Sequence, residues 1–205
     1  TPEFALITLL LPKDTRVETV EGWYRGLHRA AKRYDVAIVG GETAAQAAGA
    51  EGAALSISLT GHVRREHCVL RNGARPGDLI GVTGKLGGSF ESGRHLDFEP
   101  RLDDAHWLVE HASPTAMMDL SAALATDLPR PARASEVAYR IDPDALPRHE
   151  GCTIQQALND GEDYELLVTL PSEVADHPLT IIGECLPLGD PSATPLEGGW
   201  DHFKA

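Results

Sequence analysis

The apolar residues of the chain change period along its length, and each period predicts an element. Leu6-Ile7-Thr8-Leu9-Leu10-Leu11 is a nearly unbroken apolar run that stops at Pro12, which predicts a buried strand over 5–11. Over 17–34, Val20, Trp23, Leu27, Ala30, Ala31 and Tyr34 recur at helical spacing with Arg and Lys between them. A short strand over 35–39 runs into Gly40-Gly41-Glu42-Thr43, and the Ala- and Gly-rich stretch 44–52 reads as a mobile loop. Leu55, Ile57 and Leu59 alternate with Ser56, Ser58 and Thr60, the period of a strand with one wet face. The turn-rich stretch 70–78 is then a joint between two domains, 1–70 and 71–205. Beyond it, strands are expected over 79–82, 116–120, 165–170 and 180–183. A helix is expected from Ser121 onward, interrupted or ended by Pro129 and Pro131. Helices alternating with strands imply an α/β or α+β fold. A domain rarely opens on a fully apolar strand, so sequence upstream of Thr1 is expected.

Composition narrows the function. The 205 residues are 42% hydrophobic and 24% charged, ordinary for a globular chain, and the apolar runs are too short to span a bilayer, so no membrane is expected. A net charge of −13 repels a phosphate backbone, so no nucleic acid is expected either. It leaves room for a polyphosphate held through metal ions on carboxylates. Cys68, Cys152 and Cys185 are scattered and form no CxxC pair, which fits reduced thiols in a cytoplasmic protein. The nine histidines show no metal-ligand spacing.

Four segments carry candidate chemistry. Gly40-Gly41-Glu42-Thr43 follows a strand, where glycines let backbone approach a ligand and a terminal carboxylate can hold a metal. An ordinary tight turn with a solvated glutamate fits that motif better when it is taken alone. Asp119-Leu120-Ser121 lies where a strand gives way to a helix; Ser121 suits an N-cap, and the helix start beyond it can bind an anion. A plain cap beside an acid is again the simpler account. Arg71, in a turn between strands, can fork onto phosphate or be a plain surface arginine. Gly161-Glu162-Asp163-Tyr164-Glu165-Leu166 is different. Three carboxylates so close repel one another unless cations or donors offset them, and a functional role is the better reading.

Taken in order and spacing, these segments resemble the thiamine-monophosphate kinase family of the aminoimidazole-ribonucleotide-synthetase-like superfamily. The resemblance rests on 161–166, on Leu70-Arg71-Asn72-Gly73-Ala74-Arg75-Pro76-Gly77-Asp78, on Met118-Asp119-Leu120-Ser121, and on Gly199-Trp200-Asp201-His202-Phe203. It implies a two-domain fold whose N-terminal ATP-binding and dimerisation domain is truncated here, and a homodimer formed through that domain. It also implies direct in-line transfer of the γ-phosphate of ATP to thiamine monophosphate, with magnesium ions and no phosphoenzyme. By resemblance, Glu42 and Asp119 are catalytic and each holds a magnesium ion. Tyr24, Gly41, Glu42, Arg71 and Ser121 contact ATP, and Glu162 and Trp200 contact thiamine monophosphate. One departure matters: the family reads Ser-Asp-Gly-Leu where this chain reads Ser121-Ala122-Ala123-Leu124, so Ala122 replaces an acidic residue. A weakened kinase is therefore expected. The alternatives are a non-catalytic paralogue that binds thiamine phosphates or nucleotides, and another enzyme of the superfamily, such as selenophosphate synthetase or a hydrogenase-maturation protein.

Overall fold

The structure is a computed structural model and describes residues 1–47, 52–174 and 176–198. The chain separates into two compact units, Thr1–Glu66 and His67–Ala205.

The first unit is a three-stranded sheet with one helix. Strand β1 (Pro2–Leu11) leads into helix α1 (Val17–Arg33), strand β2 (Ala37–Ala45) and strand β3 (Ala54–Gly61). The sheet order is β2-β1-β3, with β2 parallel and β3 antiparallel to β1. A parallel pair needs a crossover, and α1 supplies it. Alternation along β1 buries Ala5, Ile7 and Leu9, and Val20, Trp23, Tyr24 and Leu27 of α1 pack against them. Those helix positions follow the i, i+3, i+4, i+7 pattern of one face. Glu18 in the first turn and Lys32 and Arg33 in the last complement the helix dipole.

Three local expectations change here. The segment 40–45 continues β2, so Gly40 to Thr43 lie inside a strand and Ala44 and Ala45 belong to it rather than to a loop. Residues 48–51 of that expected loop lie outside the described residues. Gly41 is required by packing: a Cβ there would stand 1.8 Å from the carbonyl oxygen of Ile7, at φ 155°. Strand β3 has no buried face within this unit, since Leu55, Ile57 and Leu59 are 41–60% exposed.

In the second unit, five antiparallel strands carry helices on both faces. The strands are β4 (Leu79–Val82), β5 (Ala116–Asp119), β6 (Ala138–Ile141), β7 (Leu166–Leu170) and β8 (Thr180–Leu186), in the order β5-β7-β4-β8-β6. The helices are α2 (Ser89–Ser92), α3 (Leu102–His111), α4 (Leu124–Asp127), α5 (Pro129–Ala134) and α6 (Ile154–Asn159). Ile80, Val82, Leu167 and Ile182 point to one face and pack with Leu124 and Leu128. Val168 and Leu170 point to the other and pack with Leu108 of α3. The expected helix from Ser121 begins instead at Leu124, with Ala123 at its N-cap. The expected interruption falls before Pro129: α4 stops at Asp127, and Pro129 opens α5 at its first position, where a missing N–H has no consequence. Among the described residues no helix is long and apolar enough to cross a membrane, and the three cysteines are free thiols.

Candidate functional site

Arg71, Asp119, Ser121 and Glu162 come together at the end of β5. Met117 of that strand donates its N–H to the Leu70 carbonyl at 3.0 Å, which brings Arg71 alongside. The Arg71 Nη2 lies 3.9 Å from Asp119 Oδ1, with both side chains half exposed or more. So open a pair adds little to stability, and both groups stay accessible. Past Asp119 the pairing with the acidic segment continues irregularly. Leu120 N–H donates to the Glu165 carbonyl, Tyr164 N–H to the Leu120 carbonyl, and Glu162 N–H to the Ser121 carbonyl, at 2.8–2.9 Å.

The acidic segment divides its carboxylates by role. Asp163 is buried and accepts from the Gly87 N–H at 3.0 Å and the Ser89 hydroxyl at 2.7 Å. Burial pushes its pKa up to about 6, against the opposing pull of those two donors and of Arg94. Glu165 is buried too. It accepts from Thr83 Oγ1 at 2.6 Å and from the Arg101 Nε and Nη2 at 2.7 and 2.6 Å. That fork is the strong, bidentate kind, and the hydrogen bond to Glu165 raises the Arg101 pKa. The repulsion expected among the three acids is thus answered by protein donors at Asp163 and Glu165. Glu162 points elsewhere and accepts from the Tyr164 hydroxyl at 2.7 Å. That bond is the main reason the Tyr164 pKa rises to about 12.

This division carries a backbone penalty. Glu162 and Tyr164 sit at φ 57° and 53°, a region that L-residues avoid and that is a clear outlier for a side chain as bulky as tyrosine. Gly161, at φ 72°, is held against the Ser121 carbonyl, where a Cβ would approach to 3.0 Å. Such strain persists where surrounding contacts over-determine it, and it clusters at functional sites.

Ser121 is not the expected cap. The fully buried carboxylate of Asp127 accepts from the N–H groups of Ser121 and Ala122 at 3.0 and 2.9 Å, and from Arg130 Nη1 at 2.6 Å. The backbone donors expected to receive an anion are therefore already engaged by the chain itself. Burial raises the Asp127 pKa in spite of these donors. Asp127 belongs to none of the four candidate segments, and no sequence signal singles it out. Ala123 stands at φ 83°, ψ 152°, a conformation open essentially to glycine.

In the first unit, Gly41 and Glu42 are exposed neighbours in β2, and the Glu42 carboxylate accepts from Thr43 N–H at 2.9 Å. The interior of a strand is thus where Glu42 sits, not a strand end. Tyr24 is partly buried and packs on the β1 core. Trp200 and the rest of 199–203 lie outside the described residues. Among the described residues no three His, Cys, Asp or Glu side chains gather into a metal-sized group.

Residues 1–63 match the model of the AIR synthase related protein, N-terminal domain. The thiamine-monophosphate kinase of Aquifex aeolicus is 32% identical over 98% of this chain and 74% of that protein. The chain belongs to the thiamine-monophosphate kinase family. The Rhodopirellula baltica member is 36% identical over 85% of this chain, and the chain spans 57% of its length. Solved structures agree. The Aquifex aeolicus kinase crystal structure aligns with a TM-score of 0.78 at 32% identity over 92% of this chain and 72% of its own. That of AaThiL complexed with AMPPCP and TMP aligns at 0.77 and 30% identity, over 98% of this chain and 74% of its own. Hydrogenase maturation protein HypE in complex with ATP aligns at 0.74 with 20% identity, a likeness of fold alone.

Proposed function

We propose that this protein transfers the γ-phosphate of ATP directly to the phosphate of thiamine monophosphate. A terminal oxygen of thiamine monophosphate attacks the γ-phosphorus, the bond to the bridging oxygen breaks, and ADP leaves with that oxygen. The observation that carries this reading is the strained acidic segment, which spends two carboxylates on its own anchoring and presents Glu162 beside Asp119 and Arg71. In-line transfer needs positioning and charge neutralisation more than a strong base. Arg71 suits the phosphates, and Glu162 suits the positively charged substrate. The resemblance adds ATP contacts at Tyr24, Gly41 and Glu42 in the first unit and at Ser121 in the second, and a substrate contact at Trp200.

Magnesium fits the donors present. It is a hard cation that binds oxygen, keeps several waters and needs only one or two carboxylates. Glu42 and Asp119, each exposed in its own unit, would each hold an ion, whereas Asp127, Asp163 and Glu165 are taken by protein donors. Bound there, magnesium would neutralise phosphate charge. Ala122 offers no oxygen ligand, so turnover should suffer more than nucleotide binding.

Calorimetry with each ligand separately tests the substrate assignment. Glu162→Ala should weaken thiamine monophosphate binding by about 1.5–3 kcal/mol, the usual loss for a hydrogen bond to a charged group, and leave ATP binding nearly unchanged. Equal losses for both ligands would mean that Glu162 only maintains the fold.

A further inference from the structure

Beside Glu162 lies an aromatic surface that neither hydrophobic core of the second unit includes. Phe98 stacks on Tyr164 with ring centroids 4.3 Å apart and planes 22° from parallel. Phe98 is nevertheless 42% exposed, so the stack is a surface feature. Its loop is pinned at both ends. Arg94 Nη2 donates to the Gly87 carbonyl at 2.5 Å before it, and the Arg101 fork on Glu165 closes it after. Tyr164 is fixed in turn by its hydroxyl bond to Glu162 and by its left-handed backbone. The result is a preorganised aromatic face with a carboxylate at its rim. Aromatic faces attract flat cations through the ring quadrupole, and a nearby carboxylate adds the opposite charge.

We infer that the Phe98–Tyr164 pair is a shelf for a flat, cationic heteroaromatic ring, with Glu162 supplying the complementary charge. In the proposed reaction that ring belongs to thiamine monophosphate, so the inference rests on the reading of Glu162 as the substrate end. Phe98 is then a specificity-determining residue: it discriminates the thiamine compound and is indifferent to the nucleotide.

The test is calorimetry on the full-length protein, with thiamine monophosphate and with ATP in separate titrations. Phe98→Ala and Phe98→Leu should weaken thiamine monophosphate binding about three- to thirtyfold, the span of a cation–π contact. Phe98→Trp should bind it as tightly as the wild type. ATP affinity, unchanged in all three, is the control for intact folding. The shelf alone is overturned if the wild type binds thiamine monophosphate and Phe98→Ala or Phe98→Leu binds it equally well. It is also overturned if ATP affinity falls in parallel. If the wild type binds no thiamine monophosphate, the functional reading fails and the shelf fails with it.

Discussion

Ala123 occupies a backbone conformation that suits glycine, φ 83° and ψ 152°, at the point where the chain leaves β5 and enters α4. Family members carry glycine at that place by resemblance, so this chain keeps the turn with a residue that strains it. Ala123→Gly should therefore stabilise the protein by about 1 kcal/mol, since relief of strain exceeds the added freedom of the unfolded glycine. Urea unfolding measures it, and a loss of stability would show that the turn is relaxed with alanine. Asp163 makes a second residue-level prediction. The folded protein holds its proton up to about pH 6, whereas an unfolded aspartate releases it near pH 4. Between those values the folded state binds more protons, so stability falls as pH rises through the window and stays lower above it. The full effect is about 3 kcal/mol. Asn at this position keeps the amide oxygen for Gly87 and Ser89 and cannot ionise. The stability of Asp163→Asn relative to the wild type should climb between about pH 4 and pH 7. A difference that stays flat with pH would contradict the burial assigned to Asp163. The sequence made the crowding of acids around Asp163 legible. It could not show the left-handed backbone at Glu162 and Tyr164, because neither is a glycine and the conformation is imposed by contacts from distant segments.

At the scale of elements, strong apolar patterns were readable and weak ones were not. Helix α1 and strands β1, β3 and β4 were all apparent, because each carries several apolar residues at one period. Helix α3 buries only Leu108, and β6 buries only Tyr139 and Ile141 on either side of Arg140, so neither leaves a clear pattern. Helix α6 did carry a signal: Thr153 and Gln156 form a reciprocal capping box, a motif visible three residues apart in the sequence. Strand pairing was beyond reach. Strand β1 is the central strand of its sheet and pairs with β3, Ile7 opposite Ile57. What stays uncovered in this unit is apolar side-chain surface on both strands: Phe4, Leu6, Leu10, Leu55, Ile57 and Leu59 are all 41–60% exposed. That much apolar surface on one small sheet marks an interaction site. We therefore predict a homodimer formed through the first unit. Sedimentation of the full-length protein at micromolar concentration should show it, and a monomer there would count against it.

For the whole molecule, the two units carry different shares of the proposed chemistry. The second unit brings Arg71, Asp119, Ser121 and Glu162 together by pairing the end of β5 with the acidic segment, and it holds that segment in place with Gly87, Ser89, Thr83 and Arg101. The first unit contributes the exposed Glu42 on β2. The family was legible in the sequence, because four motifs keep their order. The anchoring of Ser121 and Ala122 by Asp127 was not, since a buried acid in so short a helix reads like any surface aspartate. Phosphorus NMR of the full-length protein with ATP, thiamine monophosphate and magnesium follows both phosphate compounds at once. Direct phosphoryl transfer predicts thiamine diphosphate appearing in step with ADP, and slowly, because Ala122 supplies no metal ligand. ADP appearing with free phosphate and no thiamine diphosphate, or both ligands bound with no transfer at all, would contradict it.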